Sequence, residues 1–369
     1  MPEVWLNYGP VDAVLDIRAE NLGGTLGGDA KALPQERLDE ILAGVPVDDS
    51  TVLVVLHDTV AVRHTISRLY AMREGKSAAF PRILADGTTR ESIGAGLPEG
   101  SVVETFGAGA DELGSNLVFV AEVEPDGLFG YQTVCTRLLR RFGSRRMLEA
   151  YECRAGDAPV PGSDPPPYSV AREFAERFEV SSIEVAGGRG GVYGMYAGHP
   201  AACDAQGLAG PYASGGAHSA RTAVGSSGRA FGPDTLARSL PSLWTLWGAL
   251  KSGGQAVLLA ECGGGLGSEA LLRHAEGNLE ELRRPPEYVE GMEDVLFSQA
   301  VTQDTDVVLV TALPEVYAGR LGVTLARRAQ GALDAILKNN PRRKVTVLPD
   351  ASRTVLWQEP GGEGGAENG

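Results

Sequence analysis

Cysteine is scarce, and the little there is does not form a metal-binding pattern. Four cysteines, Cys135, Cys153, Cys203 and Cys262, are spread over 369 residues with no C-x-x-C pair. That excludes a zinc knuckle and a dense disulfide framework. No run of about 18 apolar residues occurs, so no membrane-spanning helix is expected. The opening stretch MPEVWLNYGPVDAVLDI has neither a basic region nor an apolar core of the kind an export signal carries, and the expected location is the reducing cytoplasm. Positive charge is also in short supply. Lys+Arg number 33 against 48 Asp+Glu, a net charge of -15. A surface that acidic repels phosphate backbones and anionic lipid, so neither nucleic acid nor membrane is an expected partner. No lysine stands between Lys76 and Lys251.

What is present describes a folded chain. Hydrophobic residues make up 43% and charged residues 22%, which is ordinary for a globular protein. The length exceeds what one core serves, and two lobes are expected. Residues 3–17 alternate apolar and polar around Gly9-Pro10, which predicts a β-hairpin closed by Gly23-Gly24 and Gly27-Gly28. PQERLDEILAG predicts a short amphipathic helix that Gly44 stops. TVLVVLHD then reads as a strand buried on both faces, followed by a helix in HTISRLYAMREG. Further strands at 81–85 and 117–125 end in DGTTR and DGLFGY. Successive strand ends of this type indicate a largely parallel sheet whose C-terminal edge gathers polar residues, the place for a ligand.

The stretch 155–168, AGDAPVPGSDPPPY, is too rich in proline for a helix or a central strand and reads as a crossover. A second α/β rhythm follows: helix 169–179, strand 181–186, a Gly-rich turn, strand 255–261, strand DTDVVLVTALP, helix GRLGVTLARRAQGALDAILKNN and strand KVTVLP. The expected fold class is therefore α/β with two lobes, each a mostly parallel or mixed sheet with flanking helices. The expected divisions are 1–155, the crossover 156–168, 169–358, and a disordered tail 359–369 without packing residues.

Four constellations bear on chemistry. Strand 255–261 runs into Cys262, Gly263, Gly264, Gly265, Leu266, Gly267 and Ser268 before a helix. This is either an anion cradle of free amides at a helix start or a tight turn in which Ser268 only caps the helix; it matches neither a dinucleotide fingerprint nor a P-loop. His57-Asp58 at a strand end, with Arg63 and His64 one turn on, can supply an acid/base and a carboxylate clamp, or Asp58 is a helix cap and the histidines pack. Asp126 after Glu124-Pro125 is a carboxylate at a sheet edge or simply Asp-Gly turn chemistry. His199, His218 and His274 lack ligand spacing, so no metal is assigned. Trp244 and Trp247 read as helix-face core, and the basic run Arg137 to Arg146 as a solvated helix face.

Taken together, these segments resemble the nickel-dependent lactate racemase family, 2-hydroxy-acid racemases and epimerases that carry a nickel pincer nucleotide. The resemblance runs from EVWLNYGPVDAVLDI to KVTVLPDASRTVL, and YAGHPAACDAQGLA with AVLLAECGGGLGSE carry it best. It implies two α/β lobes with a ligand cleft between them and, for an active member, an isomerase. The positions of the family's two acid/base histidines hold Thr89 and Asp126. The nucleotide-tethering lysine falls near Thr136, an arginine of the first motif falls near Ala61, and the nickel-ligating histidine has no counterpart past Arg140.

The reading is accordingly a divergent member that binds a small anionic ligand, a 2-hydroxy acid or a nucleotide. Asp126, Asp58 and Thr89 are the catalytic candidates. Arg63, Arg90, Tyr131, Gly263, Gly264, Gly265 and Ser268 are the ligand- or cofactor-binding candidates. The alternatives are an active racemase with a non-covalent nickel nucleotide, and a non-catalytic sensor or regulator.

Overall fold

A computed structural model describes residues 3–28, 30–107, 109, 113–228, 234–283 and 285–357; the expected tail 359–369 lies outside them. Two six-stranded sheets organise the chain. In the first, the central strands Val52–Val55 and Leu117–Glu122 are buried along their whole length, as expected of strands covered on both faces by helices. Arg82–Ala85 and Val103–Thr105 extend the sheet beyond Val52–Val55, and Ser181–Gly188 and Gly191–Gly198 extend it beyond Leu117–Glu122. All neighbours are parallel except the last pair. The chain thus winds outward one way from Val52–Val55 and returns to build the other half, placing a topological switch point between Val52–Val55 and Leu117–Glu122.

The second sheet is parallel throughout, in the order Thr324–Ala326, Asp306–Val310, Leu250–Leu259, Ala220–Ser226, Val345–Leu348, Leu22–Thr25. Its switch point lies between Ala220–Ser226 and Val345–Leu348. The predicted hairpin is present as Glu3–Tyr8 paired with Val11–Asp16. Its Leu6 and Leu15 pack with Val224, Val257 and Val347, so it roofs the second sheet.

The sheets do not divide where the prolines suggest. Strands 181–188 and 191–198 follow the 156–168 segment yet complete the first sheet, while Leu22–Thr25 precedes it and edges the second. Parallel pairing needs long crossovers, and here they pass between lobes. One hydrophobic core accordingly runs from Phe119 and Leu138 in the first lobe to Trp244 and Leu258 in the second.

Three local expectations also change. The crossover ends inside a helix, Pro166–Ala175, because proline is welcome in a first turn where its missing N–H is not needed. The Gly-rich turn after 186 is confined to Arg189-Gly190, with strand on either side, and Gly187 is required because a Cβ there would stand 2.5 Å from that of Ala61. The long helix from 319 breaks at Gly322, whose φ of 69° ends Ala318–Leu321; Thr324–Ala326 is strand before the helix Ala329–Asn339.

Candidate functional site

The C-terminal edges of both sheets face one another at their switch points, and a cavity of about 410 Å³ lies between them. His57 and Asp58 come from the end of Val52–Val55, Glu124 from the end of Leu117–Glu122, Ser227 from the end of Ala220–Ser226, and Ser352 and Arg353 from beyond Val345–Leu348. This is where a doubly wound sheet places its ligand, because diverging connections leave a crevice there.

His57 is the one histidine that lines the cavity. Its Nδ1 lies 3.0 Å from Glu124 Oε2, and Arg238 Nη2 donates to its Nε2 at 2.6 Å across the cleft. Donation from Arg238 requires a lone pair on Nε2, which assigns the proton to Nδ1 and directs it at Glu124. Burial is the main cause that holds the imidazole below its ordinary value, with Arg137 and Arg238 adding and Glu124 opposing. Burial would raise the carboxyl of Glu124, but His57, Arg137 and Arg353 outweigh it and keep it ionised. The pair is therefore a carboxylate-oriented neutral imidazole, able to take a proton at Nε2.

The helix Val134–Phe142 brings Arg137 and Arg140 to the same cavity, one turn apart. Thr133 starts it with a capping box: its hydroxyl accepts from Thr136 N and the Thr136 hydroxyl accepts from Thr133 N at 2.9 Å. Arg137 Nη2 donates to Glu124 at 3.2 Å. Arg140 donates to Asp126 at 3.0 Å and pairs with Glu293 from the second lobe. The expected solvated helix face is thus corrected for these two arginines, which are largely buried. Asp294 completes this corner. Burial first, then the neighbouring Glu293, raises its carboxyl well above the ordinary range.

Of the expected site residues, Asp58, Thr89, Asp126 and Ser268 line the cavity. Asp58 is gripped by Arg63 through Nε and Nη2 at 2.7 and 2.6 Å, while Thr59 caps the helix instead. Asp126 accepts from Leu128 N and Phe129 N at 2.9 and 2.7 Å, in addition to Arg140; turn chemistry and ion pairing occupy both of its oxygens. Ser268 caps the helix Glu269–Glu276. Arg63, Arg90, Tyr131, Gly263, Gly264 and Gly265 are not among the cavity-lining residues. Arg90 is exposed near Thr105, and Tyr131 donates to Gly162 O at 3.3 Å. The glycine loop is a turn and not a cradle, since Gly264 N donates to Asp234 O and Gly265 N to Cys262 O.

Sequence reasoning missed Arg137, Arg140, Arg238, Arg353 and Asp294. The i, i+3 spacing of Arg137 and Arg140 was a usable signal. The others arrive from segments distant in the chain and carry no local mark.

A tethered nickel nucleotide does not fit these residues. Thr136 is fully buried and its hydroxyl is committed to the helix cap. Among the described residues no lysine lines the cavity, and the one imidazole that does is held between Glu124 and Arg238.

The sequence matches no protein-family model and no curated protein. Solved structures do match. The apoprotein of lactate racemase from Thermoanaerobacterium thermosaccharolyticum superposes over 96% of this chain and 100% of its own, with a TM-score of 0.72 at 17% identity. A Thermotoga maritima protein superposes over 88% and 97%, with a TM-score of 0.62 at 11% identity. The molecule belongs to the two-lobed α/β proteins whose facing switch points enclose a cleft. Within that class its fold is lactate-racemase-like, and the low identity makes it a divergent example.

Proposed function

We propose that this chain is a divergent lactate-racemase-like protein whose interlobe cleft binds a small anionic ligand, a 2-hydroxy acid or a nucleotide. The contact between Arg238 and His57 carries the reading. A guanidinium that donates to a neutral imidazole gains far more from a bidentate carboxylate, so an entering anion draws Arg238 away and uncovers His57 Nε2. Arg137, Arg140 and Arg353 line the same cavity, each paired with a carboxylate of the lining or of the lobe contact. With Nε2 uncovered, His57 accepts a proton from the ligand and Glu124 stabilises the imidazolium that forms. Asp294, its carboxyl raised by burial, faces the same cavity from the second lobe. Asp58 and Thr89 line the rim on the first lobe. Turnover, where it occurs, is then proton transfer of the isomerase class.

The test is a thermal-shift titration with DL-lactate, malate and AMP on the wild type and on Arg238→Ala. The expected result is a rise in melting midpoint with at least one carboxylate or with AMP, lost in the variant. No rise with any probe, or an equal rise in Arg238→Ala, overturns the reading. Intact mass and nickel content after co-expression with nickel-pincer biosynthesis enzymes are expected to show the bare chain; a mass adduct with nickel would restore the nickel-dependent racemase reading.

A further inference from the structure

A second acid lies beneath the cleft, outside the cavity. Glu184, on the strand Ser181–Gly188, is wholly shielded from solvent. Its Oε2 accepts from Val134 N at 3.0 Å, the first amide of the helix that carries Arg137 and Arg140. Its Oε1 accepts from Ser182 Oγ at 3.3 Å, and the thiol of Cys203 also bonds it. The groups around it are Arg137 and Cys135 from that helix, Cys203 from the loop after 200–202, Tyr168 from Pro166–Ala175, and Tyr196 from the partner strand. Arg137 is the one cation of this set, and Glu124 already accepts from its Nη2.

We propose that Glu184 is a proton-operated support for the helix Val134–Phe142, and that its charge state regulates the arginine face this helix presents to the cleft. A neutral carboxyl accepts the Val134 amide at little cost. An ionised one places a charge in an apolar pocket where two weak donors and the helix N-terminus are its near compensation, and it competes with Glu124 for Arg137. Burial is the main cause that pushes the Glu184 carboxyl up to about 7, so the change falls near neutral pH. The consequence for ligand affinity rests on the proposed anion-binding function; the support itself does not.

The test has two arms. In the wild type, 13C NMR of the glutamate carboxyl carbons is expected to show one resonance titrating near neutrality that vanishes in Glu184→Gln; titration of every glutamate in the ordinary carboxylate range overturns the proposal without any variant having to fold. In the second arm, melting midpoints of Glu184→Gln and wild type are compared from about pH 5 to 8. A raised carboxyl gives stability that is full below its unfolded value of 4.5 and lost as pH rises through the folded one. The midpoint of the variant relative to wild type is therefore expected to climb by several degrees with pH, and a constant difference overturns the proposal. Lactate titrations at both pH extremes separate the two readings. A carboxyl that titrates near neutrality together with no lactate binding at any pH removes the anion-binding reading and leaves the support intact.

Discussion

Arg353 of the second lobe grips Glu122 of the first with Nε and Nη2, at 2.6 and 3.0 Å; Glu122 is fully buried and Arg353 is largely so, its edge reaching the cavity. Tyr212 donates to the same carboxylate at 3.0 Å and accepts from Gly187 N. The lobes are therefore joined at the cleft by a buried ion pair as well as by shared core. Removal of one partner strands a buried charge. Arg353→Met is expected to lose about 3–5 kcal/mol of stability in urea unfolding, and Glu122→Gln combined with Arg353→Met is expected to regain part of it.

The titration of His57 depends on what faces it. Its proton affinity is lowered, so the neutral ring contributes stability that is present above its ordinary value of 6.5 and lost as pH falls below it. This runs opposite to the contribution of Glu184 in an overlapping window, so the difference between variant and wild type is the quantity to read. His57→Gln is expected to flatten the acid side of the stability curve. Arg238→Ala removes a lowering charge, and the His57 ring signal in NMR is expected to titrate at a higher pH than in the wild type.

Asp126 holds a turn and an arginine. Asp126→Asn weakens bonds made to a charged acceptor and is expected to cost about 1.5–3 kcal/mol in denaturant unfolding. Its effect on probe affinity is expected to be minor beside that of Arg238→Ala. The reverse ranking would return Asp126 to the role of a ligand-contacting base.

Gly130 follows the Asp126 turn with φ of 75°, and a Cβ there would stand 1.9 Å from Ser163 O. Gly130→Ala therefore combines left-handed strain of about 1–2 kcal/mol with overpacking of about 1–3 kcal/mol. A melting midpoint within a degree of wild type would show that the 163 segment yields freely.

The neighbourhood of Val52–Val55 was readable because a run of Val and Leu ending in polar residues is the local signature of a buried parallel strand. The hairpin around Gly9-Pro10 and the helix ended by Gly44 were equally local. The strand Gly191–Gly198 was hidden because glycine in a strand looks like a turn until Ala61 is seen against Gly187. His57 and Asp58 were visible as polar residues at a strand end, but their fates were not: Arg63 claims Asp58, and Glu124 with Arg238 claims His57.

Composition and hydrophobic period act over short stretches, and they are enough to read an acidic, cysteine-poor α/β chain of two lobes with no lysine between Lys76 and Lys251. The exchange of strands between lobes on both sides of the prolines, and the convergence of Arg137, Arg238 and Arg353 on one cleft, come from the folded arrangement alone. Parallel sheets pair strands far apart in the chain, and the charges that meet at two facing switch points share no spacing that a linear pattern could record.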